Sequence, residues 1–334
     1  MRHVIFLFLM ISIAYGEARL KIATYNVENL FDLYKSGNEY KEYIPNTQAN
    51  WNQKTYKIKL KNIARAITDI NPDIIALQEI ESLQALKDLR FVLKQNGSYF
   101  EHYKIADFKN TTTKVAILSK IPFVYTTEIA VTPSYAYRNI LEAKFKIANE
   151  DLYILVNHWK SKSGPESQRV FSAKKLMKRV EEIGVEKNII LLGDFNSHYE
   201  EYKMFQRKRK HNDTDGITGI NHILKSIKHT QSAKEAELSQ GDFYNLWYDV
   251  KPQQRYSYIY KSNKETLDNI LISKSLLDTH GISYIKNSMH SYKADYLFRG
   301  KNINRWYVTR SNNPRHKGKG YSDHLPLVAD FMVY

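Results

Sequence analysis

Short apolar runs that end abruptly in polar residues recur along the chain. Arg19 to Val27 reads as a strand ending in polar positions. Leu60, Ile63, Ala64 and Ile67 then recur at helical spacing, and Asn71-Pro72 stops that helix. Ile74-Ile75-Ala76-Leu77 has the continuous apolar character of a strand covered on both faces, and it breaks at Gln78-Glu79. The same unit returns later. Leu152 to Val156 ends in Asn157-His158, a helix with Val170, Ala173, Met177 and Val180 on one face follows, and Ile189 to Leu192 ends in Gly193-Asp194-Phe195-Asn196. Leu267-Asp268 leads into Ile270-Leu271-Ile272, and Tyr321-Ser322-Asp323-His324 precedes Leu325 to Ala329.

A buried strand can carry a polar residue at its tip without burying it, so several tips together build a polar cleft. Strands alternating with helices predict a layered α/β domain. No Pro-, Gly- or Ser-rich linker divides the chain, which predicts one domain from residue 19 to 334. Residues 200 to 258 are the least patterned and are expected to hold helices and loops between core strands.

The N-terminus has its own logic. Arg2 and His3 precede an apolar run from Val4 to Ile13, and Ala14-Tyr15-Gly16 follows. This is the layout of a secretory signal peptide over residues 1–16, with export to a periplasmic or extracellular space. The run falls short of the ~20 residues that span a bilayer, so no stable membrane insertion is expected.

Composition narrows the chemistry. The chain has 334 residues and a formal charge of +15, which favours polyanionic partners. It has no cysteine, so disulfides and thiolate metal sites are excluded and any metal must sit among oxygens and imidazoles. Of the 25 tyrosines, most suit half-buried packing and a few could stack bases.

In Gly193-Asp194-Phe195-Asn196, alternation would send Asp194 and Asn196 to one side and Phe195 to the other. Gly193 would permit close approach of a backbone or ligand. The same four residues could equally be a turn held by Asx hydrogen bonds. Glu79 alone would serve as well in a salt bridge, and His158 as a capped histidine. The combination carries the case. Phosphodiester hydrolysis needs charge relief on the non-bridging oxygens, an activated water and a protonated leaving oxygen. A hard cation among carboxylate and amide oxygens supplies the first, and histidines titrating near neutrality supply the others.

In the order Asn26, Glu79, His158, Asp194, Asn196, Asp268, Asp323 and His324, the chain resembles the endonuclease/exonuclease/phosphatase, or DNase I-like, superfamily. The matching pieces are TYNVENLFD, LQEIES, VNHWKSKSG, LLGDFNS, YSYIYKSNKETLDNILIS and GYSDHLPLVADF. Several look most like the bacterial secreted-nuclease branch, although Asn269 stands where that branch usually has a His. The resemblance implies a four-layer α/β sandwich of two packed mixed β-sheets flanked by helices, with the site at one edge. It implies that Glu79 and Asn26, assisted by Asp323, bind a divalent cation: Mg²⁺, with Mn²⁺ or Ca²⁺ as alternatives. Asp194 and Asn196 would contact the attacking water or the phosphate, Asp268 would orient His324, and His158 would be the second imidazole. Arg138 would face phosphate.

The implied activity is that of a secreted metal-dependent nuclease acting on DNA, and on RNA as a further substrate, with little sequence preference. Two basic runs, Arg207 to His211 and Arg310 to Lys319, could grip the backbone. Arg315, Lys317 and Lys319 lead into Ser322-Asp323-His324, and Trp306 and Tyr307 just upstream could stack bases, although core packing is the expected place of the Trp. No protein partner is expected. A sphingomyelinase-type phospholipid phosphodiesterase shares the catalytic set and would carry an apolar hairpin for entering membranes. A catalytically silent binding protein on the same scaffold would have lost catalytic residues.

Overall fold

The computed structural model describes residues 18–205, 211–226 and 238–334. The signal-peptide segment and Arg207 to Lys210 lie outside the described residues.

The first half builds most of one sheet. Strand β1 (Ala18–Leu30) is followed by helix α1 (Gln53–Ile70), β2 (Ile74–Ile80), α2 (Leu83–Gln95), β3 (His102–Ile105) and β4 (Lys114–Ser119). Strands β5 (Phe123–Ile129), β6 (Ile140–Ile147) and β7 (Glu150–His158) open the second sheet, and α3 (Glu166–Ile183) leads to β8 (Asn188–Asp194). Then come α4 (Glu201–Met204), β9 (Phe243–Asn245), the hairpin β10 (Tyr258–Tyr260) and β11 (Asn263–Glu265), and β12 (Asp268–Ser273). Strands β13 (Ile282–Tyr284), β14 (His290–Ser291), β15 (Phe298–Arg299), β16 (Asn302–Ile303) and β17 (Leu327–Val333) end the chain.

Among the described residues one sheet has seven strands, ordered β13-β17-β1-β2-β4-β3 with β14 also on β17, and the other has six, ordered β5-β6-β7-β8-β12-β9. Each sheet is antiparallel except for a single parallel pair, β1 with β2 and β7 with β8. Parallel neighbours need a crossover, and α1 and α3 supply it. Each β-α-β unit thus ends two neighbouring strands on the same edge. Asn26 and Glu79 lie at the ends of one pair, His158 and Asp194 at the ends of the other.

Three apolar layers hold this arrangement. Between the sheets, Ile22, Ile74 and Ile117 of one face Leu141, Ile154 and Leu192 of the other. Outside the first sheet, Ile75 and Leu77 pack with Leu60 and Ile63 of α1 and Leu86 of α2. Outside the second, Leu155 and Leu191 pack with Ala173 and Leu176 of α3. This is the expected four-layer sandwich. Helix α1 starts where the Asn52 side chain accepts from the N–H of Lys54 and Thr55, and it stops at Asn71 in a left-handed turn before Pro72.

One sequence expectation needs amending. Residues 200 to 258 contribute an edge strand, β9, which pairs with β12; three residues are too few to show alternation. Trp306 is buried in the cluster over the first sheet, the core position expected of it, and does not stack a base, whereas Tyr307 is 42% exposed.

Gly193 has φ +129°, and a Cβ built there would lie 2.1 Å from the Asn157 carbonyl oxygen. The close approach joins the tips of β7 and β8. Gly193→Ala should therefore lower stability by more than about 1 kcal/mol, measured as a fall in the urea midpoint. An unchanged midpoint would show that the two tips tolerate separation.

Candidate active site

The tips are shaped by breaks in strand register. The β1–β2 ladder shifts between Asn26 and Leu30, and the β2–β4 ladder between Gln78 and Ile80. Glu28, Asn29 and Glu79 all adopt left-handed φ of 50°, 60° and 67°. Such bulges re-aim side chains, at a cost of about 1 kcal/mol or more for each non-glycine residue. Hydrogen bonds offset that cost at Glu79, whose Oε2 accepts from Asn29 N at 2.9 Å and whose Oε1 accepts from Asn26 Nδ2 at 3.1 Å.

The same Asn26 amide donates to Asp194 Oδ2 at 3.0 Å, joining the first sheet to the second. Its own Oδ1 accepts from Glu28 N. His158 Nε2 lies 3.5 Å from Asp194 Oδ2 and 3.9 Å from Glu79 Oε1, while its buried Nδ1 has no hydrogen-bond partner among the described residues. Asn196, at φ 48°, donates its N–H to Asp194 Oδ1 at 2.8 Å and its amide to Trp159 O at 3.1 Å. The Gly-Asp-Phe-Asn segment is thus an Asx turn and a cleft wall at once. Phe195 points away and packs edge-on against Trp159.

Asp268 pairs in register with Asp194 across β12 and β8. Its Oδ2 lies 2.7 Å from His324 Nδ1, and its buried Oδ1 has no hydrogen-bond partner among the described residues. Asp323 sits beside His324, with Oδ1 3.9 Å from His324 Nε2 and Oδ2 3.4 Å from Arg305. Asn269 braces the backbone. Its amide donates to the carbonyls of Ser197, Thr266 and Leu267, which holds the turn in front of Asp268.

The two imidazoles are driven to opposite charge states. Burial pushes the His158 pKa well below 6.5, and the charges of Arg138, His324 and Lys160 push the same way, so this ring is neutral. Burial opposes protonation of His324 too, but the charge and hydrogen bond of Asp268 override it, helped by Asp194 and Asp323. Its pKa is held well above 6.5, and the ring is an imidazolium. Burial also raises the Asp194 carboxyl; His324 opposes that shift, while Asp268 and Glu79 reinforce it. A neutral ring that can accept a proton and a charged ring that can donate one thus share one cleft.

Both rings line a cavity of about 780 Å³, together with Glu79, Arg138, Lys160 and Asp194. Thr113 Oγ1 accepts from the Arg138 guanidinium at 3.2 and 3.3 Å. The Tyr258 ring lies 4.8 Å from the His324 ring. Arg315, Lys317 and Lys319 do not line this cavity. Their segment turns back on Tyr307, through Lys317 N to Tyr307 O and Tyr307 N to Lys319 O, and His316 N ties it to Ala49 O. Nearness to Asp323 along the chain is therefore not matched by a place in the cleft.

Sequence reasoning missed the frame that holds these groups. Lys59, fully buried on the inner face of α1, donates to Glu28 O at 2.9 Å and Tyr321 O at 2.8 Å. Arg305 Nε donates to Glu28 Oε1 at 2.9 Å, and Ser322 Oγ donates to Asn26 O at 2.6 Å. A lysine beside Leu60, on the apolar stripe of a helix, was a visible signal; Arg305 offered none.

The donor set fits a hard divalent cation. Glu79 Oε1 and Asp194 Oδ2 converge on one amide, so oxygens of two carboxylates from different sheets meet at a point where a cation could share them. Asp194, Asp268 and His324 also offer ligand atoms within 4.8 Å of one another; there the Asp268–His324 hydrogen bond already accounts for the closeness.

A two-sheet sandwich with carboxylates and paired imidazoles at one edge defines a phosphoester hydrolase cleft. The chain belongs to the Endonuclease/Exonuclease/phosphatase family, whose profile matches residues 21–332. A search of curated proteins finds no match. Among solved structures, a humanized D. rerio TDP2 aligns with TM-score 0.57 at 14% identity, over 94% of this chain and 98% of that one. D. rerio TDP2 complexed with single strand DNA product aligns at 0.55 and 14%, over 94% and 99%. A mannosyl-6-phosphatase, Bt3783 of Bacteroides thetaiotaomicron, aligns at 0.55 and 15%, over 94% and 100%. At these identities the likeness establishes the fold alone.

Asp268→Asn should lower the His324 pKa towards or below 6.5, because burial then acts with less opposition. An NMR titration of the ring tests this; an unshifted value would remove Asp268 as the source of the charge.

Proposed function

We propose that the protein is a divalent-metal-dependent phosphodiesterase that cuts nucleic acid, DNA foremost, with little sequence preference. The observation that carries the reading is the pair of imidazoles, one hydrogen-bonded to Asp268 and the other facing Asp194, set beside convergent carboxylates. Glu79, Asn26 and Asp194, with Asp323 at the margin, would hold Mg²⁺, for which Mn²⁺ could substitute. When bound, the cation would relieve charge on the phosphate oxygens. His158, neutral, can accept the proton of an attacking water, and Asp194 and Asn196 can orient that water. His324, charged and fixed by Asp268, can donate to the leaving oxygen. Arg138 and Lys160 add positive charge in the same cavity.

Nucleic acid is favoured by the +15 charge and by cations inside the cavity. The TDP2 structure with a single-strand DNA product is in keeping with that reading. A lipid substrate is less favoured: the β10–β11 hairpin beside His324 turns through Lys261 and Ser262, a polar tip unsuited to entering a membrane. No helix among the described residues is long and apolar enough to cross one. We also read residues 1–16 as a signal peptide, which would place the enzyme outside the cytoplasm.

Exported protein should begin at Glu17 by mass spectrometry, and it should cleave plasmid DNA only with Mg²⁺ or Mn²⁺. His158→Ala, Asp194→Ala and His324→Ala should each lower turnover roughly 10²-fold or more. Cleavage in EDTA, or three near-normal variants, would contradict the mechanism. Hydrolysis of sphingomyelin vesicles but not of DNA would reassign the substrate.

A further inference from the structure

The lining of the cavity extends beyond the groups of the candidate site. One part of it, the arm, is lined by Ser161 to Ser163, Met204, Phe205 and the β10–β11 hairpin. Strand alternation puts Tyr258 and Tyr260 on the cavity side of the hairpin, while Ile259 packs into the core over the first sheet. The two tyrosines differ. The Tyr258 ring is already engaged by His324, whereas Tyr260 is 55% exposed and lines the arm.

Lys162, from the loop after β7, lies 2.9 Å from Glu201 of α4 and 3.5 Å from Glu265 of β11, linking that loop to both elements. The exposed Tyr260 ring gives a stacking surface for a flat heteroaromatic group, which a sugar alone would not use fully.

Resting on the phosphodiesterase reading above, we propose that this arm is a subsite for one nucleobase next to the scissile phosphate, with Tyr260 as its stacking platform. Stacking on an aromatic ring is tolerant of base identity, in keeping with weak sequence preference.

The test is calorimetric binding of thymidine 5′-monophosphate, 2-deoxyribose 5-phosphate and inorganic phosphate to the full enzyme in Mg²⁺ buffer. Wild-type protein should bind the nucleotide roughly tenfold more tightly than the base-less sugar phosphate, the usual scale of one stacked base. Tyr260→Ala should bind the two alike and keep wild-type affinity for inorganic phosphate, while Tyr260→Phe should retain the preference. Equal binding of the two ligands by wild-type protein, or an undiminished preference in Tyr260→Ala, would overturn the subsite. If DNA is cleaved but the preference is absent, the subsite fails alone; if the preference is present but DNA is not cleaved, the nuclease reading fails alone.

Discussion

The amide of Asn26 is the joint on which the site depends. It reaches Glu79 within its own sheet and Asp194 across the sandwich, at 3.1 and 3.0 Å. Two sheets packed through an apolar interior leave polar groups in contact only at an edge. Here the ends of both parallel pairs arrive at that edge together. Crossover geometry thus brings four chemically different tips into one cleft, and Asn26 fixes their separation.

Keeping several carboxylates so close in a buried place requires compensating positive charge. The imidazolium of His324 lies between Asp268 and Asp323, and Arg305 joins Asp323 to Glu28. Lys59 clamps the bulge within β1 to Tyr321, just ahead of Asp323. Left-handed conformations at Glu28, Asn29, Glu79 and Asn196 store strain where function is expected to need fixed geometry. The cations and the strained turns serve the same end, because each holds a charged tip where an unconstrained strand would not leave it.

Much of this was legible in the sequence, for a physical reason. Buried strands of a two-layer sheet core are continuous apolar runs, so their ends are visible as breaks, and the residues at the breaks are those the structure gathers at one cleft. Glu79, His158, Asp194 and Asp268 were found in this way. Three-dimensional proximity without a pattern was not legible. Arg315, Lys317 and Lys319 follow one another towards Asp323 in the chain, yet their segment folds back on Tyr307 and away from the cavity lining. Trp306 takes the core place expected of it, where its indole N–H donates to His316 Nδ1 at 2.8 Å. Strand β9 and the placement of Tyr260 in the cavity lining depend on pairings that no local period announces.

The central claim is that the tips of the two sheets act as one catalytic unit. A double-mutant cycle between Glu79→Gln and Asp194→Asn, followed as kcat/KM for phosphodiester cleavage in saturating Mg²⁺, tests it most directly. Groups acting as a unit are strongly non-additive. The double variant should be little slower than the worse single variant. Losses that multiply in full would mean that the two sheets contribute independently, and would contradict the account.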